Sequence, residues 1–156
     1  LGIYFLGLGT ENRNLRKFGF VTTNAAFSSG VATVALKLIL NVKRPDGNKR
    51  SRFDSSFPSG HAMGTAALAG TVHQQYGFKY AVPFQLASLF SGLTRLFDHQ
   101  HRPSEVFAGW GLGYAIGYGV GRAWENLSQQ KTRFSITPWR GFVDRRGTGT
   151  QIILPL

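Results

Sequence analysis

The sequence predicts an all-α protein, a helical bundle with an irregular or short-stranded C-terminal tail. Three observations carry that class. Four apolar runs rich in Ala, Val, Leu and aromatic residues are separated by segments holding Pro, Gly, Asp and Asn, the residues that interrupt helices. Gly109, Gly113, Gly117 and Gly121 recur every four residues, which puts them on one ridge of a helix. Apolar residues are 42% of the chain and charged residues only 16%, so it has material for a core and is not a disordered polymer. A length of 156 residues fits one domain; we place it at residues 1–130 and read 131–156 as the tail.

The elements follow in order. Leu1 to Leu8 is a short apolar run without Met, a basic leader or a small-residue cleavage site, so it is expected to be the end of an upstream segment and not a signal peptide. Thr10 to Gly19 is polar and basic. Val21 to Leu40 is the first predicted helix, and Arg44-Pro45 stops it. Asp46-Gly47-Asn48 supplies turn chemistry, and a basic loop runs to about Phe57. Ser59 precedes the second helix, Ala62 to Val72, as an N-terminal cap signal. The third helix runs from about Val82 to Phe97, and the fourth from Pro103, suited to a first turn, to about Leu127. Four glycines on one face of that fourth helix cost roughly 1 kcal/mol each relative to alanine, so a second helix is expected to pack there at short distance. A membrane-type small-residue face is the competing reading. Lys37 and six Ser, Thr or Asn residues interrupt the first run, and His73-Gln74-Gln75 the second, so neither is a clean span of about 20 apolar residues and a bundle in a water-soluble or membrane-surface protein is preferred. The tail from Lys131 mixes Phe134, Ile136, Trp139 and Ile152 to Leu154 with basic and Gly residues.

Charge narrows the function. Lys and Arg number 18 against 7 Asp and Glu, a formal +11, which predicts an anionic partner: nucleic acid, an anionic membrane or a phosphorylated small molecule. The absence of cysteine excludes disulfides, Cys-ligated zinc, iron-sulfur clusters and a thiol nucleophile.

Three clusters suit a phosphorylated ligand. Lys37 and Arg44 are seven residues apart, almost two helical turns, so on a continuous helix both leave one face and repel unless an anion sits between them. A snorkelling Lys beside an exposed terminal Arg is the bland alternative. Ser59-Gly60-His61 sits where a helix starts, with free N–H groups, the positive dipole end, a hydroxyl and an imidazole. An ordinary cap with a surface His reads as easily from that segment alone. In the third cluster, Arg95 leaves one helix, His101 enters the next, and Glu105 lies four residues beyond His101, where its carboxylate can accept the Nδ1 hydrogen and leave Nε2 as a nucleophile. Asp98, His99 and His101 as metal ligands is a weaker reading, because alternate residues share a face only on a strand. His99 is expected to be a solvated loop residue and His73 structural or exposed.

Together Lys37-x6-Arg44-Pro45, Pro58-Ser59-Gly60-His61 and Thr94-Arg95-x5-His101-x3-Glu105 resemble, in order, the three signature motifs of the type 2 phosphatidic acid phosphatase and vanadium haloperoxidase superfamily. The stretch Asp98 to Val106 is similar to the lipid phosphate phosphatase branch. Thr94 stands where the family usually has Ser, and Glu105 where it usually has Asp. The resemblance implies a helical bundle of that type and a hydrolase without a metal cofactor. It implies that Lys37, Arg44, Ser59, Gly60 and Arg95 bind the phosphoryl oxygens and that His101 attacks phosphorus. His61 then serves as acid and base, and Glu105 orients His101. Vanadate is expected as an inhibitor that mimics the pentacoordinate state.

The expected substrate is a phosphomonoester or pyrophosphate, a lipid or polyprenyl phosphate, met outside the cytoplasm. The basic loop from Lys43 to Arg52 is suited to an anionic membrane surface. Vanadate-dependent halide oxidation is a second enzymatic reading, ranked lower for so short a chain, and a basic nucleic-acid or membrane-surface module is the non-enzymatic one. No nucleic-acid motif is present, and the aromatics are not interleaved with basic residues, so nucleic acid is not expected as partner. Family members usually carry more helix before the first motif than the residues preceding Lys37 here, so the bundle is expected to be incomplete or completed by a partner.

Overall fold

The computed structural model describes residues 2–45, 47, 51–133, 138–139 and 149–150. Five α-helices account for most of them: α1 (Gly2–Gly9), α2 (Arg13–Leu40), α3 (Gly60–Tyr76), α4 (Phe78–Phe97) and α5 (Pro103–Arg133), with a short 3-10 turn at Arg52–Asp54. The chain divides into two compact units, Leu1–Arg122 and Ala123–Leu156. The second contains the end of α5 and a two-stranded antiparallel pair, β1 (Pro138–Trp139) and β2 (Gly149–Thr150), with Pro138 opposite Thr150 and Trp139 opposite Gly149. The expected turn residues Asp46 and Asn48, the cations Lys49 and Arg50, and the tail residues Phe134, Ile136, Arg140, Arg145, Arg146 and Ile152 to Leu154 lie outside the described residues, as does Leu1.

The all-α class holds, with five helices where four were expected. The apolar start forms α1, packed so tightly on α2 that a Cβ at Gly19 would lie 2.4 Å from the Tyr4 nitrogen. α2 begins eight residues before Val21, because Asn12 caps it: its Oδ1 accepts from the N–H groups of Asn14 at 3.0 Å and Leu15 at 3.1 Å. Arg13, Arg16 and Lys17, in the polar and basic stretch before the predicted start, are good helix formers once those orphan donors are satisfied. α2, with 28 residues, is long and apolar enough to cross a membrane by length and composition, where a clean span was not expected. α3 and α4 are separated by one residue, Gly77, whose φ of 90° is a conformation that side chains rarely adopt.

The core is built of small side chains. α3 buries Ala62, Met63, Ala66, Ala67, Ala69, Gly70, Thr71 and Val72. Against it runs the glycine ridge of α5, as the four-residue recurrence requires: a Cβ at Gly109 would lie 2.6 Å from the Ser59 carbonyl oxygen, at Gly113 2.0 Å from that of Met63, and at Gly117 1.9 Å from that of Ala67. Gly70 of α3 returns the contact, with its missing Cβ 2.3 Å from the Tyr114 carbonyl oxygen. The two backbones therefore touch, and no larger residue fits between them. His73 is structural, half-buried, with Nδ1 on the Tyr114 hydroxyl and its ring edge-on to Phe78 and Tyr118. Large apolar side chains lie outward instead: Phe27 is 72% exposed, Phe90 69% and Phe97 78%.

Gly117→Ala is expected to destabilise the fold by about 1–3 kcal/mol through overpacking against the Ala67 carbonyl. Gly119, on the open side of α5 with nothing within 4 Å of a Cβ, should accept alanine with a gain of up to about 1 kcal/mol. Thermal unfolding of the two variants beside the parent chain checks both signs.

Candidate active site

Three segments meet where α3 and α5 begin. α2 ends at Asn41, whose left-handed backbone (φ 48°, ψ 44°) lets its N–H donate to the Lys37 carbonyl. This ending changes the expected relation of Lys37 to Arg44. They do not share a continuous helix face; Arg44 lies in the loop, where Gly47 N–H closes a turn on the Arg44 carbonyl at 3.2 Å. Both cations are nevertheless aimed at one place by the carbonyls of the loop that follows. Lys37 Nζ donates to the Ser55 carbonyl, and Arg44 Nε to that of Asp54 at 3.0 Å. The loop is fixed in turn by Asp54 Oδ2, which accepts from Ser51 N–H at 3.1 Å, and by Ser55 Oγ, which accepts from Val42 N–H at 2.9 Å.

Ser59 occupies the cap position of α3 but its side chain does not cap. Its N–H donates to the Glu105 carbonyl at 3.1 Å, while its buried Oγ finds no partner among the described residues. A buried hydroxyl without a partner costs free energy unless a ligand completes it. Gly60 opens α3, where a Cβ would meet the Thr33 methyl at 3.3 Å, and His61 follows, exposed.

His101 is 6% exposed and Glu105 3%. The contact between them is the one expected, His101 Nδ1 to Glu105 Oε2 at 3.2 Å, but helical spacing does not produce it. His101 precedes α5, and its N–H donates to the Arg95 carbonyl at 3.3 Å. Glu105, the third residue of α5, reaches back to accept from Arg102 N–H at 2.9 Å, as in half of a capping box. Two further donors escaped sequence reasoning: the Ser56 hydroxyl, which donates to Glu105 Oε2, and Arg102 Nη1, which reaches Oε1 at 3.3 Å. Arg102 stands at i,i+3 from Glu105, a spacing from which the contact could have been found, whereas Ser56 lies 49 residues away in sequence and carries no such signal.

A cavity of about 310 Å³ is lined by Lys37, Arg44, Phe53, Gly60, His61 and His101. Five of the eight predicted site residues thus share one space, to which Phe53 adds an unforeseen apolar edge. Glu105 stands behind His101, and Ser59 lies buried beside Gly60. Arg95 does not line the cavity; its Nη1 donates to Gln100 Oε1 at 3.2 Å and its Nη2 lies 3.6 Å from Asp98. His99 is exposed with φ 51°, and among the described residues no three His, Asp or Glu side chains converge as a metal site needs.

Burial holds the His101 imidazole below its ordinary 6.5; the Glu105 hydrogen bond opposes this and the Arg44 and Lys37 charges reinforce it. Burial would raise the Glu105 carboxyl, but hydrogen bonds from Ser56, Arg102 N–H and His101 outweigh it and hold the group below its ordinary 4.5. Near neutral pH the pair is therefore a neutral imidazole, with its Nδ1 hydrogen on a carboxylate, and Nε2 is the nitrogen available to a ligand. Such an imidazole between two cations and a helix N-terminus can act as a nucleophile toward an anion held there.

The family model described as the PAP2 superfamily matches residues 17–129, most of the chain. Among curated proteins, lipid A 1-phosphatase of Porphyromonas gingivalis is 32% identical over 77 residues, 47% of this chain and 16% of that protein. Lipid A 4'-phosphatase of Helicobacter pylori is 36% identical over 61 residues, 36% of this chain and 31% of that protein. The matches thus span less than a third of either relative. No solved structure matches the chain significantly.

Both shifts give the fold the same pH dependence. As pH falls below about 6.5 the unfolded chain protonates His101 more readily than the folded one, and below about 4.5 it does the same with Glu105. Stability is full above the unfolded values and is lost on acidification. The denaturant midpoint is expected to fall between about pH 7 and pH 4, and Glu105→Gln should flatten the lower part of that fall. A midpoint that rises on acidification contradicts the assignment.

Proposed function

The chain belongs to the PAP2 superfamily, and from that premise we propose that it is a metal-independent phosphatase that cleaves a phosphomonoester or pyrophosphate on a lipid through a phosphohistidine at His101. One observation carries the reading: a buried imidazole, oriented by a carboxylate, opens on a cavity that also holds Lys37, Arg44 and the start of α3. The names of the two relatives supply the lipid phosphate as substrate class.

In the proposed reaction Lys37, Arg44, the Ser59 hydroxyl and the Gly60 N–H take the phosphoryl oxygens, whose charge grows in the transition state. Arg95 joins them by exchanging Gln100 for a phosphoryl oxygen. His101 Nε2 attacks phosphorus, the bond from phosphorus to the leaving oxygen breaks, and His61 protonates that oxygen. His61 then takes a proton from water, whose oxygen attacks phosphorus as the P–N bond breaks, and inorganic phosphate leaves. Glu105 keeps the Nδ1 hydrogen throughout and stabilises the imidazolium that forms on phosphorylation.

The outward apolar side chains, including Phe53 at the cavity edge, suit a substrate with acyl or prenyl chains met at a membrane, on its extracytoplasmic side. Exposed Lys43 and Arg52 beside the cavity suit an anionic surface.

Phosphate release measured across phosphatidic acid, phosphatidylglycerol phosphate, lipid A, polyprenyl pyrophosphate and a soluble aryl phosphate tests class and substrate together. His101→Ala is expected to lower the rate by a factor of about 100 or more while the fold survives, with a comparable loss for Arg44→Ala. Vanadate should inhibit and EDTA should not; loss of activity on chelation that an added metal restores would overturn the proposed metal independence.

A further inference from the structure

Ser56 is fully buried, and both its N–H and its hydroxyl are spent on the site's own parts. Its N–H donates to the Val42 carbonyl at 2.9 Å, which ties it to the segment that follows α2. Its hydroxyl donates to Glu105 Oε2, lies 3.4 Å from His101 Nδ1 and 3.5 Å from the Gln100 carbonyl. A hydroxyl has one proton and two lone pairs. With the proton on Glu105, the lone pairs are left facing the Nδ1 hydrogen of His101, which Glu105 Oε2 also accepts.

We propose that Ser56 is a positioning residue of this site, which pins the Glu105 carboxylate so that one oxygen, Oε2, receives the His101 Nδ1 hydrogen and keeps Nε2 turned to the cavity. The inference rests on the phosphatase reading and adds a residue to it. The need is physical. Glu reaches its partner through three torsions, and the last is broad, so a carboxylate held by His101 alone could swing and release the ring. Arg102 N–H and the Ser56 hydroxyl approach Oε2 from two different segments and remove that freedom. Ser56 also spreads the carboxylate's charge, so that less of it falls on His101. The charged groups facing the imidazole are then Glu105, backed by Arg102, with Arg44 and Lys37 opposing it, and His61 lines the same cavity.

The test is a double-mutant cycle in the whole chain, read as kcat and KM against pH. Ser56→Ala is expected to lower kcat about tenfold with KM within about twofold. Its acid limb should move up by about half a pH unit or more, because Oε2, still held by Arg102 N–H but no longer sharing its charge with the Ser56 hydroxyl, makes His101 more basic. In a Glu105→Gln background the same change should cost less than about twofold, since Ser56 acts through Glu105. Ser56→Thr keeps the hydroxyl and should restore the acid limb. Equal losses from Ser56→Ala in both backgrounds, or an acid limb that does not move, overturn the inference while leaving the phosphatase reading intact. The titration of the His101 ring, followed by imidazole nitrogen NMR without substrate, needs no activity. An upward shift of its midpoint in Ser56→Ala supports the positioning role, and an unchanged midpoint overturns it, whether or not the parent chain releases phosphate.

Discussion

Backbone contact between α3 and α5 is the constraint on which the site depends. With Gly109, Gly113 and Gly117 of α5 set against the backbone of Ser59, Met63 and Ala67, and Gly70 of α3 against that of Tyr114, no side chain separates the two helices at the ridge. The contact begins at the site itself: Gly109 lies against the Ser59 backbone, and Ser59 N–H donates to the Glu105 carbonyl. Helix starts held this closely bring Gly60 and His61 of one segment beside His101 and Glu105 of another. The cost of glycine inside a helix, roughly 1 kcal/mol each, is offset by the dispersion contacts of two backbones at van der Waals distance and by the register they impose.

Electrostatics completes what packing begins. Two cations, the positive end of α3 and a buried carboxylate are gathered within one small volume, and each is secured by backbone groups. Lys37 and Arg44 would repel each other at close range, and the carbonyls of Ser55 and Asp54 offset part of that repulsion. Glu105, with donors on both oxygens, stays ionised despite its burial, and its charge faces the imidazole and not the cavity. The cavity side of His101 and the side that faces the Glu105 carboxylate are therefore separated by the ring itself.

Much of this was legible in the sequence, for identifiable reasons. The glycine recurrence announced the close helix pair because only glycine tolerates such contact. Pro58 to His61 and Pro103 marked helix starts through their local chemistry. Lys37 and Arg44 line one cavity, but not through the helical spacing that suggests it: Asn41 ends the helix and loop carbonyls do the aiming. The His101 to Glu105 contact was likewise reached through i,i+4 spacing, although His101 stands outside α5. Ser56 carries no signal because its partners lie 45 and 49 residues away in sequence, and Phe53 carries none because a lone Phe in a basic loop is not diagnostic of a site. The early start of α2 was missed because basic residues weigh against an apolar run, while the Asn12 cap decides the boundary.

The central claim is that His101 carries the phosphoryl group during turnover. It is tested most directly by mixing the chain with a substrate radiolabelled in its phosphoryl group, quenching during turnover in alkaline denaturant, and mapping the labelled peptide. The account predicts an alkali-stable, acid-labile label on His101 that an unlabelled chase discharges to inorganic phosphate. Phosphate release without any label on His101 would contradict it.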